Sequence, residues 1–479
     1  MEYTSLNDKN FVAKLTQLAK SNDPIDSALY QTYDVKRGLR YADGRGVLVG
    51  LTRIGDVVGY EIDSAGNKIA VPGRLIYRGY NVEDIVRDAE KHHQFGFEQC
   101  VYLLLFGELP TETELEDFNK CLAHLRELPL NFTEDMIMKA PSSDIMNKIA
   151  RGVLALYSYD DKAENRDIAN VTRQCLELIS RFGSIAAYGY QAKRRYHDGK
   201  SMYLHNPEPT LGTAENFLRL IRSDMEYTRL EAELLDLALI LHAEHGGGNN
   251  SSLTIHVVSS ADTDTYSAVA AAVGSLKGRR HGGANIRVME MMDDIKENVR
   301  DWSSEKEIGD YLRKIADKSA FDRTGLIYGQ GHAVYTISDP RTTLLRDKAA
   351  ELAKVKGCEE EFNLYRTIEN LAPQILYERH GDKKRICTNV DFYSGFVYTM
   401  LNIPRELFTP LFAVSRIAGW SAHRIEEIVA GGRIYRPAYK NVSPERAYVP
   451  MEVRKPSLPA HDEMPADDDG EVRTAGPSD

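Results

Sequence analysis

Three histidines in this sequence lie in runs with two or more glycines: His245 in LHAEHGGGNNSS, His281 in GSLKGRRHGGANIRV and His332 in LIYGQGHAVYTISDPR. Glycine leaves the backbone uncovered, so a ligand can come close to an imidazole placed there. His245 follows a helical run marked by Leu230, Leu234, Leu237 and Leu241, which the three glycines must end. Two other uses of His245 stay open at this point. It could cap the helix dipole, or it could ligate a metal with His242 and Glu244, although only the two histidines share a helical face and the spacing is not HExxH. His281 lies between a basic turn and a helix expected to begin near residues 283–285. A helix N-terminus keeps an imidazole neutral, and a neutral imidazole can donate to a developing enolate. Lys277, Arg279 and Arg280 in the same turn could hold phosphates of an anionic cofactor, or could simply be solvated.

The remaining chemistry-bearing residues are acidic and basic. Asp391, in TNVDFYSGFVYTML, sits in an apolar, aromatic stretch where desolvation raises a carboxylate's basicity; as an alternative it caps the helix that follows. Arg341 comes shortly after His332, and Arg416 and Arg436 occupy apolar or glycine-rich surroundings. Buried arginines need anionic partners, and carboxylates fit the guanidinium fork best. Glycine-flanked histidines, a sheltered aspartate and several arginines are equipment for carbon chemistry on small polycarboxylates.

These residues need a scaffold, and hydrophobic spacing says which. Residues 47–80 are rich in Val, Ile and Gly with a turn at residues 63–67, which reads as short strands. From about residue 81 the spacing becomes helical and stays so, with loops near 107–111, 140–144, 158–166 and 197–213. The expected fold class is mainly α with a few short N-terminal strands. The 479 residues suffice for two or three domains, and no internal repeat suggests a solenoid. A net charge of −11 argues against nucleic acid as a partner. No apolar run is long enough to span a membrane and the N-terminus lacks the features of a secretory signal, so a cytoplasmic address is expected. Cys100, Cys121, Cys175, Cys358 and Cys387 form no CxxC pair and read as buried thiols in a reducing compartment. Residues 456–479 are rich in Pro and Asp and poor in large apolar side chains, the composition of a disordered acidic tail.

The motifs HAEHGGGN, GRRHGGAN, GQGHAV with DPR, NVDFYSG, SRIAGWSAH and RIYRP occur in one order and with the approximate spacing of the citrate synthase family, which the chain resembles over about residues 40–445. The resemblance implies a two-domain helical homodimer. The large domain would comprise residues 1–282 and 401–455, and a small domain of residues 283–400 would close over the substrates. His281 is similar to the histidine that hydrogen-bonds the thioester carbonyl, Asp391 to the base that removes the acetyl proton, and His332 to the histidine that polarises the oxaloacetate keto group. His245, Arg341 and Arg416 resemble residues that bind the carboxylates of oxaloacetate, and Arg436 resembles the arginine contributed by the neighbouring subunit. Contacts with coenzyme A would fall on the Lys277, Arg279, Arg280 turn and on Gly329, Gln330 and Gly331. No metal or permanently bound cofactor is implied; the coenzyme A thioester is a co-substrate.

Two positions depart from the commoner pattern: Arg279 and Arg280 precede His281 where Pro and an aliphatic residue are frequent, and Gln330 stands where an aromatic is frequent. Neither is an acid, base or clamp position. The implied activity is condensation of acetyl-CoA with oxaloacetate to citrate. The same scaffold also serves 2-methylcitrate synthesis from propionyl-CoA, and a one-methylene difference is worth only about 1–3 kcal/mol in a pocket. A cleavage-direction lyase and a non-catalytic binding module are the more distant readings.

Overall fold

A computed structural model describes residues 6–22, 24–41, 44–64, 67–380 and 386–454; the acidic tail expected from residue 456 lies outside them. The chain divides into two compact units, residues 1–49 with 436–479, and residues 50–435. In the first, helices α1 (Leu6–Asn22) and α2 (Ala28–Thr32) precede a single antiparallel bridge between Arg40 and Gly46. The Lys440 ammonium, 5.6 Å from the centre of the Tyr33 ring, ties the two ends of the chain together there.

The second unit opens with a hairpin of β1 (Gly55–Ile62) and β2 (Lys68–Tyr77), extended by the short β3 (Tyr80–Asn81) into an antiparallel sheet of order β1-β2-β3. Val, Ile and Tyr fill these strands, as residues that suit a pleated, half-buried surface do. Asp63 closes the turn by accepting the Asn67 amide at 2.7 Å. Helices then follow: α3 (Val82–Lys91), α4 (Phe97–Phe106), α5 (Glu112–Leu125), a π-helical turn (Thr133–Met138), α6 (Ile145–Leu156), α7 (Ile168–Tyr196), α8 (Thr213–Ile221), α9 (Arg229–His242), α10 (Asn250–Ser259) and α11 (Thr265–Lys277). Beyond the basic turn come α12 (Ala284–Asn298), α13 (Glu305–Ala316), α14 (Pro340–Lys356), α15 (Glu359–His380), α16 (Asp391–Met400) and α17 (Phe408–Ala430). Capping boxes start α5 at Thr111 and α9 at Thr228.

One helix organises the core. Every residue of α17 from Phe408 to Arg424 is buried, so its sequence is apolar around most of its circumference, and it packs against α4, α7, α9, α10 and α11. The helix stops at Gly431, whose φ of +62° is the left-handed conformation glycine adopts most readily. Among the described residues no helix is long and apolar enough to cross a membrane. Cys100, Cys175 and Cys387 are buried as expected, but Cys121 is exposed and Cys358 half-buried. Cys121 lies on α5, where only Phe118 and Leu122 are buried.

The sheet has a positioning task. The register of β1 against β2 shifts between Val58 and Tyr60, and a Cβ at the intervening Gly59 would lie 2.6 Å from the carbonyl oxygen of Val334. On β2, a Cβ at Gly73 would lie 2.2 Å from the Ser338 carbonyl oxygen, while the Gly73 amide donates to Ser338 Oγ at 3.2 Å. Two glycines thus let the segment after His332 lie directly on the hairpin. Gly73→Ala is expected to destabilise the protein by about 1–3 kcal/mol, since backbone rather than a flexible side chain must move. Urea unfolding checks this; an unchanged midpoint would mean that the 334–338 segment does not rest on β2.

Candidate active site

Arg416 sits in the middle of α17, fully buried, with Nε donating to the His242 carbonyl at 2.6 Å and the guanidinium 4.7 Å from the Phe412 ring centre. Its Nη1 and Nη2 are buried and meet no hydrogen-bond partner among the described residues. Burial pushes the guanidinium down to about 10, against the pull of Glu244, so its charge is kept at neutral pH at a cost. Two unpaired nitrogens on one buried edge match the two oxygens of a carboxylate.

Around this cation lie the three glycine-flanked histidines. The His245 ring stands edge-on to His332, with centroids 5.1 Å apart, and His332 stacks on the buried Tyr335 at 4.6 Å. His332 Nδ1 accepts from the amides of Val334 (3.1 Å) and Tyr335 (3.0 Å). A nitrogen that accepts two amide hydrogens carries no proton of its own, so the neutral ring holds its proton on Nε2. The Nε2 of His245 is buried with no partner among the described residues. Burial, then the charges of Arg341, His332 and Arg416, hold the His245 ring well below its ordinary pKa. Helix α9 ends at His242 with Ala243 as its cap, so His245 lies beyond the dipole position. Nor do the side chains of the alternative metal trio converge: His242 stacks on Phe412 at 4.4 Å, and Glu244 turns to His423 at 3.0 Å.

Arg341 is paired more fully than its sequence setting implies. Its Nε and Nη2 grip the two oxygens of Asp339 at 3.0 and 2.7 Å, and both residues are buried. Asp339 also accepts the Arg341 amide at 3.1 Å as N-cap of α14, with Pro340 in the first turn, so the D-P-R run is a helix start that aims an arginine. One edge of the guanidinium is therefore occupied by protein.

Asp391 is the first residue of α16 and half-buried; the N-cap position itself is Val390, which makes no side-chain cap hydrogen bond. Asn389 takes the local role, accepting the Asp391 amide at 3.0 Å. Burial raises the Asp391 carboxyl to about 6; Arg341 and Arg416 hold it down and Asp339 pushes it up. His281 lies just before α12, which begins at Ala284, and burial with the charge of Arg416 lowers it to about 4. At neutral pH the carboxyl is ionised and the imidazole is not, an acid–base pair with its roles separated by environment. Arg416 and Arg341 act on Asp391 and His245, and Arg416 also acts on His281, so the structure gathers these residues into one electrostatic neighbourhood.

The residues expected to meet coenzyme A lie on the margins of this cluster. Lys277, in the last turn of α11, pairs with Asp144 at 3.2 Å, and Arg279 and Arg280 are exposed. Gly329, at φ +80°, passes so close to α16 that a Cβ would lie 2.7 Å from the Phe392 ring. Gly331 is likewise left-handed at φ +90°. Gln330 accepts from Thr388 Oγ1 at 3.0 Å through Oε1, and its Nε2 is buried without a partner among the described residues. Arg436 belongs to the other compact unit and is exposed.

The family model for the citrate synthase C-terminal domain matches residues 39–438. The chain belongs to the citrate synthase family. It is an enzyme of the citrate (Si)-synthase acyltransferase type. It is 34% identical over 371 residues to a citrate synthase of Haloferax volcanii, covering 76% of this chain and 88% of the relative. A 2-methylcitrate synthase of Shewanella oneidensis is 33% identical, covering 80% and 93%. Among solved structures, the citrate synthase of Thermoplasma acidophilum, in a ternary complex with carboxymethyl coenzyme A and oxaloacetate, superposes with a TM-score of 0.70 at 27% identity, covering 88% of this chain and 99% of that one.

Within this family member, sequence reasoning passed over the groups that hold His281. Ser251 Oγ lies 3.0 Å from His281 Nε2, 3.0 Å from the Trp420 indole nitrogen and 3.0 Å from Asn249 Oδ1. The indole can only donate, so it fills a lone pair of the hydroxyl, whose one proton is left for Asn249 or His281. Given to His281 Nε2, that proton fixes the imidazole proton on Nδ1 and makes Nδ1 a donor. The signal in the sequence was the NNSS run beside the tryptophan of GWSAH, but only the fold brings them together. Ser251→Ala is expected to lower turnover about 10- to 100-fold, corresponding to about 1–3 kcal/mol for an unsatisfied buried group. Steady-state kinetics on the variant, with a circular dichroism spectrum matching the parent, provides the check; unchanged turnover would exclude the hydroxyl from orienting His281.

Proposed function

We propose that this protein condenses acetyl-CoA with oxaloacetate and water, giving citrate and coenzyme A. The observation that carries the reading is the pairing of a half-buried carboxyl raised to about 6 with a neutral imidazole lowered to about 4, beside a buried arginine edge suited to a carboxylate. An α-proton of a thioester is very weakly acidic, so base strength and enolate stabilisation must act together. Asp391 takes the methyl proton while His281 donates to the thioester oxygen. The resulting enol carbon attacks the keto carbon of oxaloacetate, whose oxygen receives the Nε2 proton of His332. His245, Arg416 and the remaining edge of Arg341 hold the carboxylates. Water then hydrolyses the citryl thioester.

The same reading assigns coenzyme A to Lys277, Arg279, Arg280 and the segment Gly329, Gln330 and Gly331, as a co-substrate that leaves after each turnover. It makes the enzyme a homodimer in which Arg436 reaches the neighbouring subunit's oxaloacetate. It also makes residues 283–400 a small domain that closes on residues 1–282 and 401–455, excluding water until the carbon–carbon bond has formed. Relatives of similar identity carry the names citrate synthase and 2-methylcitrate synthase, so the acyl group is the point to test.

Thiol release with a chromogenic disulfide, oxaloacetate and either acetyl-CoA or propionyl-CoA, with identification of the acid formed, is expected to give the higher kcat/KM with acetyl-CoA. A higher value with propionyl-CoA would move the enzyme to 2-methylcitrate synthesis, and silence with both would leave a binding module. Asp391→Ala is expected to lose turnover by about 10²- to 10⁴-fold while calorimetry still detects oxaloacetate. Because the base must be ionised, kcat/KM for the thioester should fall as pH drops through about 6, with no separate loss from His281 until about 4. A flat profile between pH 5 and 7 would place the proton transfer elsewhere.

A further inference from the structure

Behind the glycine loop that carries His245 runs a chain of four side chains. His423 Nε2 is 3.0 Å from Glu244 Oε1, His423 Nδ1 is 3.1 Å from His256 Nε2, and His256 Nδ1 is 2.8 Å from Glu427 Oε2. Glu244 and His423 are wholly buried and His256 is nearly so. Each outer nitrogen faces a carboxylate and must carry a proton, and the contact between the rings needs one more. The two imidazoles therefore share one positive charge.

The surroundings place that charge on His423. Its neighbours are Glu244 on the α9–α10 connection, and Glu426, whose Oε2 is 3.8 Å from His423 Nδ1. Arg416 acts on Glu244 from further along α17, while Glu426 accepts the Arg53 amide at 2.7 Å and acts on Arg78 at the end of β2. Burial works against the His423 charge, but Glu244 and Glu426 outweigh it and raise the ring to about 9. Burial and the neighbouring His423 charge lower His256. Burial would likewise raise Glu244, yet His423 keeps it below its ordinary range.

This chain clamps the two pieces of backbone that hold the carboxylate-binding groups. Glu244 immediately precedes His245, and its carboxylate meets His423 at 3.0 Å. His423 lies on α17 with Arg416. A Cβ at Gly419, between them, would lie 2.4 Å from Glu244 Oε2, and one at Gly247 would lie 3.5 Å from His423. We infer that the His423–Glu244 ion pair, braced by His256 and Glu427, is a positioning device that sets His245 against Arg416 and so fixes the affinity for the keto dicarboxylate. The inference rests on the oxaloacetate reading above and adds to it residues that touch no substrate.

The test uses the full chain carrying Glu244→Gln, His423→Gln or both. Each single variant is expected to raise the oxaloacetate KM, and its Kd by calorimetry, about tenfold or more, because a buried charge loses its partner. The KM for the acyl thioester should stay within about twofold, and the double variant, in which two amides can pair, should be no worse than either single one. In the parent enzyme the oxaloacetate KM should rise as pH increases through about 9, where His423 loses its proton, and His423→Gln should flatten that rise. Singles with an oxaloacetate KM within twofold of the parent would overturn the inference, as would equal loss in both substrates with a collapsed Tm. Stoichiometric zinc on dialysed parent protein, lost in His256→Ala, would overturn it too by making the cluster a metal centre. A parent that binds oxaloacetate but forms no citrate defeats the catalytic reading and leaves this one standing on Kd. A parent that binds none defeats both.

Discussion

A guanidinium enclosed in the protein core with two unpaired nitrogens is the constraint on which the rest of the site depends. Arg416 can be there only because α17 is buried along most of its length and because the His242 carbonyl and the Phe412 ring accept part of its field. Solvent does not screen the charge, so it acts on every titratable neighbour. It helps burial to keep His281 and His245 neutral, and it limits how far burial raises Asp391. One buried cation thereby prepares the site for an anion and sets the protonation of the groups that would act on it.

The imidazoles are held neutral in distinct ways, and the distinction assigns their protons. His332 receives two backbone amides on Nδ1, a fixed arrangement that follows from the tight turn after Gly331. His281 instead leans on a hydroxyl that has a choice of acceptors, so its tautomer depends on Trp420 and Asn249 as much as on itself. His423, although wholly buried, is the exception: two carboxylates near one ring outweigh desolvation. Burial alone therefore does not tell which histidine is charged; the carboxylates and the neighbouring ring must be weighed against it.

Sequence pattern was enough for the hairpin, the helical succession and the glycine-flanked histidines, because each depends on spacing within a short stretch. The partition of the chain was less legible. Residues 1–49 join 436–479 in one unit, a pairing of chain ends that no local periodicity encodes. The same holds for partners. Asp339 went unread in the DPR motif, and only the geometry shows that it caps α14 and fills one edge of Arg341. Asp391, plausible as a cap, leaves that task to Asn389 and keeps its carboxyl for the site. Glu244 and His423 were visible in HAEHGGGN and GWSAH, but their contact spans 179 positions and could not be inferred from either motif.

The backbone pairing around the third histidine bears on how such a site would close. Gly331 donates to the Cys387 carbonyl at 2.8 Å, the Asn389 amide donates to Gly329 at 2.9 Å, and the Asn389 side chain donates to the Gly331 carbonyl at 2.8 Å. These bonds zip the His332 loop to the approach to Asp391, and Gly329 packs so closely on Phe392 that a Cβ there would lie 2.7 Å from its ring. Asp391 and His332 are therefore fixed to each other. His245, Ser251 and Arg416 are fixed to one another through α9, α10 and α17. If one set moves relative to the other, the distances that change are those from Asp391 to His281 and from His332 to His245 and Arg416; on the proposed reading these are base to thioester and polarised carbonyl to carboxylate clamp. Closure would then bring the two carbon atoms together while the two amides on His332 Nδ1 and the hydroxyl at His281 Nε2, each inside a single set, keep their hold on the two rings.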